Sequence, residues 1–260
     1  MPHLPQVLVI GLHDPRVVRL DGRPWSAAST FAPPSPQAAA HWRVSPFPTG
    51  AQETCMRIHS DSFANGALIP AEFAGGHAHG FAPDRNPHLA WDQVPEGTRS
   101  FALLCVDPDV PTVPDTTNRD DMEVPVEQPR ADFFHWVMVD IPAEVREIPA
   151  GSCSDGFVAK GKRNPSGPAG SRQGLNDYTG YFAGNADLDG QYFGYDGPYP
   201  PYNDLRLHHY HFRLYALDAQ TLPLKPGFTG KDVLAAIEGH VLAQAEWVGT
   251  YTLNGKVLAG

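Results

Sequence analysis

The chain has 260 residues, 42% hydrophobic and 18% charged, which gives enough apolar material for a sizeable core and too much for a disordered chain. Its 19 Lys and Arg stand against 29 Asp and Glu, a net charge of -10, and no stretch is basic enough to track nucleic acid or an anionic membrane surface. No run approaches the roughly 18 consecutive apolar residues of a bilayer span, and the stretch from Val7 to Leu12 lacks a basic leader region, so a soluble cytoplasmic protein is expected.

Residues 1–54 read as an extension: Pro24, Pro33, Pro34, Pro36, Pro46, Pro48 and an Ala run at 38–40 resist regular structure. A single domain is expected over residues 55–260, where short apolar runs alternate with Pro, Gly, Asn and Asp in the rhythm of strands and loops. Cys55, Cys105 and Cys153 are odd in number and lack CxxC spacing, so neither a disulfide framework nor a zinc knuckle is indicated. Ser100 to Val106 predicts a strand covered on both faces and stopped by Asp107-Pro108. Phe133 to Ile141 predicts a second strand, followed by a weaker helix candidate over Ala143 to Glu147.

The long polar stretches 112–131 and 160–206 read as functional or mobile loops. Leu207 to Leu217 predicts a third strand with His208, Tyr210, Phe212, Leu214 and Ala216 on its core face and His209, His211 and Arg213 opposite. Last, Thr229 is a helix N-cap with Asp232 three residues on, and Val233, Leu234, Ile237, Val241 and Leu242 recur at helical spacing.

Four features carry chemistry, each with a plainer alternative. In Asp107-Pro108-Asp109-Val110-Pro111 the prolines fix the backbone and aim a carboxylate, unless the aspartates are merely solvated in a sharp loop. His135 lies in a buried strand, either satisfied in the core or facing a ligand. Gly197 allows close backbone approach, and Pro198, Pro200 and Pro201 stiffen its loop. His208-His209-Tyr210-His211 invites a metal reading, but strand alternation separates His208 from the other two, so no metal site is expected there. His77-Ala78-His79 is a weaker chelating pair.

Taken as a set, these strings resemble the phosphatidylethanolamine-binding protein family, in particular its bacterial Raf kinase inhibitor-like branch. The landmarks run in order over about residues 55–253: Phe63 to Pro70, Asn86-Pro87-His88-Leu89-Ala90-Trp91, Val94 to Leu103, Asp107 to Pro111, His135-Trp136-Val137, Gly197 to Pro201, His208 to Asp218, Gly239 to Leu242 and Gly249-Thr250-Tyr251. The resemblance implies a mostly β fold, an antiparallel Greek-key β-sandwich with a C-terminal helix and long loops. It also implies an anion pocket lined by Asp107, Pro108, Pro111, His135, Gly197, Pro200, Pro201, His208 and Tyr210. The expected ligand is a small anion bearing phosphate, phosphonate or carboxylate, with both imidazoles donating to it and a buried carboxylate setting a histidine tautomer or pKa.

No cofactor and no metal belong to that set, and with no nucleophile in it, binding is preferred to turnover. The alternatives are acid-base catalysis by Asp107, His135 and His208 in a biosynthetic pathway, and inhibition of a kinase or protease through a surface. A homodimer is compatible with the sequence. This chain departs from the family strings at Tyr199, where Cys is usual, at His209, where Arg is usual, and at Asn86, where Ser is usual. The insertions 112–131 and 178–193 carry extra aromatic residues and read either as a lid over the pocket or as surface elaboration.

Overall fold

A computed structural model of the chain describes residues 56–77 and 80–259, so the 1–54 extension and His79 lie outside the described residues. The strands among them are β1 (Arg57–His59), β2 (Gly76–His77), β3 (Gly80–Phe81), β4 (Leu89–Asp92), β5 (Ser100–Pro111), β6 (Arg130–Pro142), β7 (Glu147–Ile148), β8 (Arg172–Gln173), β9 (His208–Leu217) and β10 (Val241–Tyr251). Three short helices join them: α1 (Tyr178–Tyr181), α2 (Gly230–Ala236) and α3 (Gly255–Leu258). The ladders between these strands are antiparallel and form a five-stranded sheet ordered β10-β9-β5-β6-β8, a three-stranded sheet β1-β4-β7 and the hairpin β2-β3. Among the described residues no helix is long and apolar enough to cross a membrane.

β5 and β9 are central strands of the large sheet, and their sequences explain why both of its faces are covered. From Phe101 to Val106 every residue of β5 is buried. Phe101, Leu103 and Cys105 join Trp136, Met138, Phe212 and Leu214 in one core, together with Ile58, Leu89, Trp91 and Ile148 of the small sheet. Ala102, Leu104 and Val106 face the other way, where Val233 and Ile237 of the α2 segment close a second core. β9 alternates as expected, with His208, Tyr210, Phe212, Leu214 and Ala216 buried and His209 exposed.

Three expectations need correction. β5 does not stop at Asp107-Pro108 but continues to Pro111, paired with β6 through a register irregularity between Asp107 and Val110. Its pairing with β9 ends at Val106, so the amide-lacking prolines interrupt no ladder on that side. The helix begins with the predicted Thr229–Asp232 capping box, yet ends after Ala236, and Gly239 turns the chain at φ 81°. Val241 and Leu242 therefore open β10, an edge strand whose alternation over Ala243, Ala245 and Trp247 was masked by the helical period before it. Ala143 to Glu147 is a turn running into β7, not a helix.

Candidate functional site

The site grows out of the ends of β5 and β9. Where their pairing stops, the Asp107 carboxylate folds back so that Oδ1 accepts the Asp109 amide at 2.7 Å, leaving Oδ2 2.7 Å from His208 Nδ1. The other ring nitrogen, Nε2, lies 3.1 Å from Asp204 Oδ2, and Arg130 clamps Asp204 at 2.5 and 3.0 Å. Burial alone would depress the His208 pKa, but the Asp107 and Asp204 carboxylates outweigh it and raise it to about 9. His208 is thus an imidazolium whose two N–H groups both end on carboxylates. It offers no donor to a ligand, unlike the donor role expected for it, and it could shuttle a proton only by breaking one of these bonds.

His135, on β6, is arranged differently. Its Nδ1 lies 2.8 Å from the Asp196 carbonyl, which can only accept, so Nδ1 carries the proton and Nε2 holds a lone pair without a partner among the described residues. Burial lowers its pKa against the upward pull of Asp107, keeping the ring neutral near pH 7. The ring packs against Phe133 at 4.8 Å, Tyr210 at 5.1 Å and Tyr178 at 5.4 Å between centroids. Tyr210, 1% exposed, has a hydroxyl that approaches Asp107 without reaching hydrogen-bond geometry and has no partner among the described residues.

The Gly197 loop is tied down from behind. Gly197 donates its amide to Asp84 Oδ1 at 2.7 Å, and a Cβ there would stand 2.3 Å from the Phe73 carbonyl oxygen. Its glycine therefore serves approach to the 73–75 backbone, and its N–H is not free for a ligand. Lys162 bridges the buried Asp84 at 2.8 Å and Asp196 at 2.5 Å. Burial and the neighbouring Asp196 carboxylate raise the Asp84 pKa against the opposing Lys162 charge. Pro198 accepts the Gly75 and Gly76 amides at 3.0 and 3.1 Å, Pro200 is buried, and Pro201 accepts the Asp204 amide at 3.1 Å. Pro108 and Pro111 sit on β5 flanking Asp109.

Asp107, His208 and Tyr210 thus converge with His135, and the 197–201 loop leads into Asp204. The sequence did not single out Asp204, Arg130, Asp196, Asp84 or Lys162, and Tyr178 entered only as one of the extra aromatic residues of the 178–193 insertion. Asp204, four residues before His208, left only a spacing as its trace. Of the inserted segments, 178–193 places Tyr178 on the His135 ring with its hydroxyl donating to the Gly197 carbonyl at 2.9 Å. Segment 112–131 docks on the stretch before Asp204 through the Asn118 amide on Asn203 Oδ1 at 2.8 Å and the Asn203 amide group on the Thr116 and Met122 carbonyls.

The departure at Asn86 is a structural hub: its Oδ1 accepts the Cys153 and Ser154 amides, and its Nδ2 donates to the Pro87 and Pro149 carbonyls. His209 pairs with Asp109 and His211 with Glu246, each at 2.8 Å. Among the described residues no group of three or more His, Cys, Asp or Glu could hold a metal ion.

The family model described as phosphatidylethanolamine-binding protein matches residues 59–252. A UPF0098 protein of Aquifex aeolicus is 34% identical over 198 residues, covering 75% of this chain and 88% of the relative. The UPF0098 protein YbhB of Escherichia coli is 32% identical over 196 residues, covering 73% and 96%. The crystal structure of Escherichia coli YbcL, described as a new member of the mammalian PEBP family, is similar with a TM-score of 0.57 at 26% identity, covering 76% of this chain and 98% of that one.

Proposed function

The chain belongs to the phosphatidylethanolamine-binding protein family, and we propose that it binds a small acidic ligand, bearing phosphate, phosphonate or carboxylate, between Tyr210 and His135. The observation that carries this reading is the unpartnered Tyr210 hydroxyl, buried beside a histidine whose Nε2 is also unfilled. A buried hydroxyl without a partner costs about 1–3 kcal/mol, and a ligand oxygen is one way to recover it.

The surrounding charges refine the ligand's protonation state. Asp107, Asp109 and Asp204 are matched by His208, Arg206 and Arg130, and Lys162 is shared by Asp84 and Asp196, so this set of described residues leaves no cation over for a dianion. A ligand that retains one acidic proton suits the site better. Its O–H donates to His135 Nε2 while the Tyr210 hydroxyl donates to a second ligand oxygen. Uptake of the same proton by His135 is the equivalent description.

Calorimetric titration with inorganic phosphate at pH 5.5 and pH 8 tests the reading. Binding is expected at pH 5.5, weaker by roughly five- to tenfold at pH 8, where inorganic phosphate is mostly the dianion. It should be lost in His135→Ala. Equal heats at the two pH values, or binding that survives in the variant, would remove the assignment.

A further inference from the structure

The peptide unit between Asp196 and Gly197 is engaged at both of its polar ends. Its carbonyl accepts from His135 Nδ1 at 2.8 Å, and its N–H, on Gly197, donates to Asp84 Oδ1 at 2.7 Å. The Asp196 amide returns to the His135 carbonyl at 3.1 Å, so ring and loop are locked together through side chain and backbone. One path of hydrogen bonds therefore runs from the Asp84 carboxylate, through a single peptide unit, to the Nδ1–H of His135. The other nitrogen of that ring, Nε2, is the atom assigned to the ligand's acidic proton.

The start of the path is rigid. Asp84 is fully buried and sits at φ 53°, a backbone conformation that strains most residues other than glycine. Its amide donates to the Ala74 carbonyl at 3.0 Å, and its own carbonyl accepts the Ser154 hydroxyl at 2.6 Å. Lys162 takes the second carboxylate oxygen, Oδ2, at 2.8 Å, donates to the Tyr195 carbonyl at 2.8 Å and pairs with Asp196. Asn176 donates to the Gly194 carbonyl at 3.0 Å and to the Asp196 carboxylate at 2.7 Å. The stretch 194–197 is thus held at each residue.

We propose that Asp84 is a positioning residue for the acid site, acting through the Asp196–Gly197 peptide to fix the Nδ1–H tautomer of His135 and to strengthen Nε2 as a proton acceptor. This role rests on the acid-binding reading of Tyr210 and His135. Where water is excluded, hydrogen bonds in a chain polarise one another. A carboxylate that accepts the Gly197 N–H moves electron density toward the Asp196 carbonyl oxygen. That oxygen draws harder on the His135 proton, and the far nitrogen becomes more basic. A charged acceptor forms a bond roughly twice as strong as a neutral one, so the effect depends on the charge of Asp84. A mere loop anchor would need only an oxygen at that position, charged or not.

Two variants separate these roles. Asp84→Asn can keep an oxygen toward Gly197 while removing the charge, and Asp84→Asn/Lys162→Met does so without changing the net charge near the ring. Burial raises the Asp84 pKa and Lys162 opposes the rise, so spectra and phosphate titrations are recorded at pH 7, on full chains labelled with 15N at glycine and histidine. The expected result is an upfield shift of the His135 Nδ1–H resonance in both variants, with phosphate affinity weaker by about threefold or more. In the wild type, saturating phosphate should move the Gly197 amide resonance downfield, since filling Nε2 strengthens the same path in reverse. An Nδ1–H resonance unchanged in folded variants overturns the relay, and a shift in the single variant alone overturns it too, because that is a direct effect of charge. If neither variant folds, a Gly197 amide that ignores saturating phosphate overturns it. Absence of phosphate binding in the wild type removes the acid site instead, and the Nδ1–H resonance of the variants still decides whether Asp84 acts on His135.

Discussion

His208 and Asp107, 101 residues apart in sequence, share a 2.7 Å bond at the ends of neighbouring antiparallel strands, and each is 1% exposed. The folded-state pKa of about 9 lies above the ordinary value of 6.5, so the native state holds a proton that the unfolded chain releases near neutrality. The resulting stabilisation, on the order of 3 kcal/mol, is complete below about pH 6.5 and is lost as the pH rises through about 9. Denaturant midpoints measured from pH 6 to 10 should fall across that window. In His208→Gln the same window should be flat. A wild-type midpoint that does not change between pH 6.5 and 9.5 would contradict the imidazolium assignment.

Tyr210→Phe separates stability from binding. Because the hydroxyl is buried without a partner, its removal should leave stability unchanged or raise it by up to about 1 kcal/mol, while weakening phosphate binding about tenfold. Thermal melts with and without phosphate read both effects. A clear loss of stability in the unliganded variant would mean that the hydroxyl is satisfied within the protein.

Lys162→Met should destabilise the fold by about 3–5 kcal/mol, since it leaves the buried Asp84 and Asp196 facing each other without a cation. Adding Asp84→Asn to that variant should restore part of the loss, because only one buried carboxylate then remains. Non-additivity in this double-mutant cycle is the measurement, and strictly additive effects would exclude the coupling.

Gly197→Ala tests the close crossing of backbones at the rear of the site. A Cβ would lie 2.3 Å from the Phe73 carbonyl oxygen, so one strand of chain must shift, at a cost of about 1–3 kcal/mol or more. Tyr178, which donates to the Gly197 carbonyl, should move with it. A detectable change in the His135 ring resonances is expected, through Tyr178 and the Asp196 carbonyl. Wild-type stability with unperturbed His135 resonances would argue against the crossing.

Thr229→Ala removes a capping box far from these histidines in sequence. It should cost about 0.5–2 kcal/mol of stability and leave phosphate binding intact. Phosphate affinity lost along with the cap would mean that α2 reaches the site.

The sequence by itself determined the strand-rich class, the inward face of β9 and the capped start of α2, because each depends on local rules: alternation at period two, proline and glycine punctuation, and a Thr–Asp pair three residues apart. It also singled out Asp107, His135, His208 and Tyr210, which the fold brings to one place. It misread the end of α2, where Val241 and Leu242 continue the helical period by coincidence and only pairing along β9 makes them a strand. What the tertiary structure decided is the role of each group. Whether a histidine is a donor, an acceptor or already satisfied depends on which acceptors reach its two nitrogens, and those acceptors, Asp204 and the Asp196 carbonyl, are delivered by loops with no periodicity. Held between Asp107 of β5 and Asp204, His208 is a buried cation, whereas burial and a single carbonyl acceptor leave His135 a neutral ring with one free nitrogen, although both histidines lie in buried strands of the same sheet.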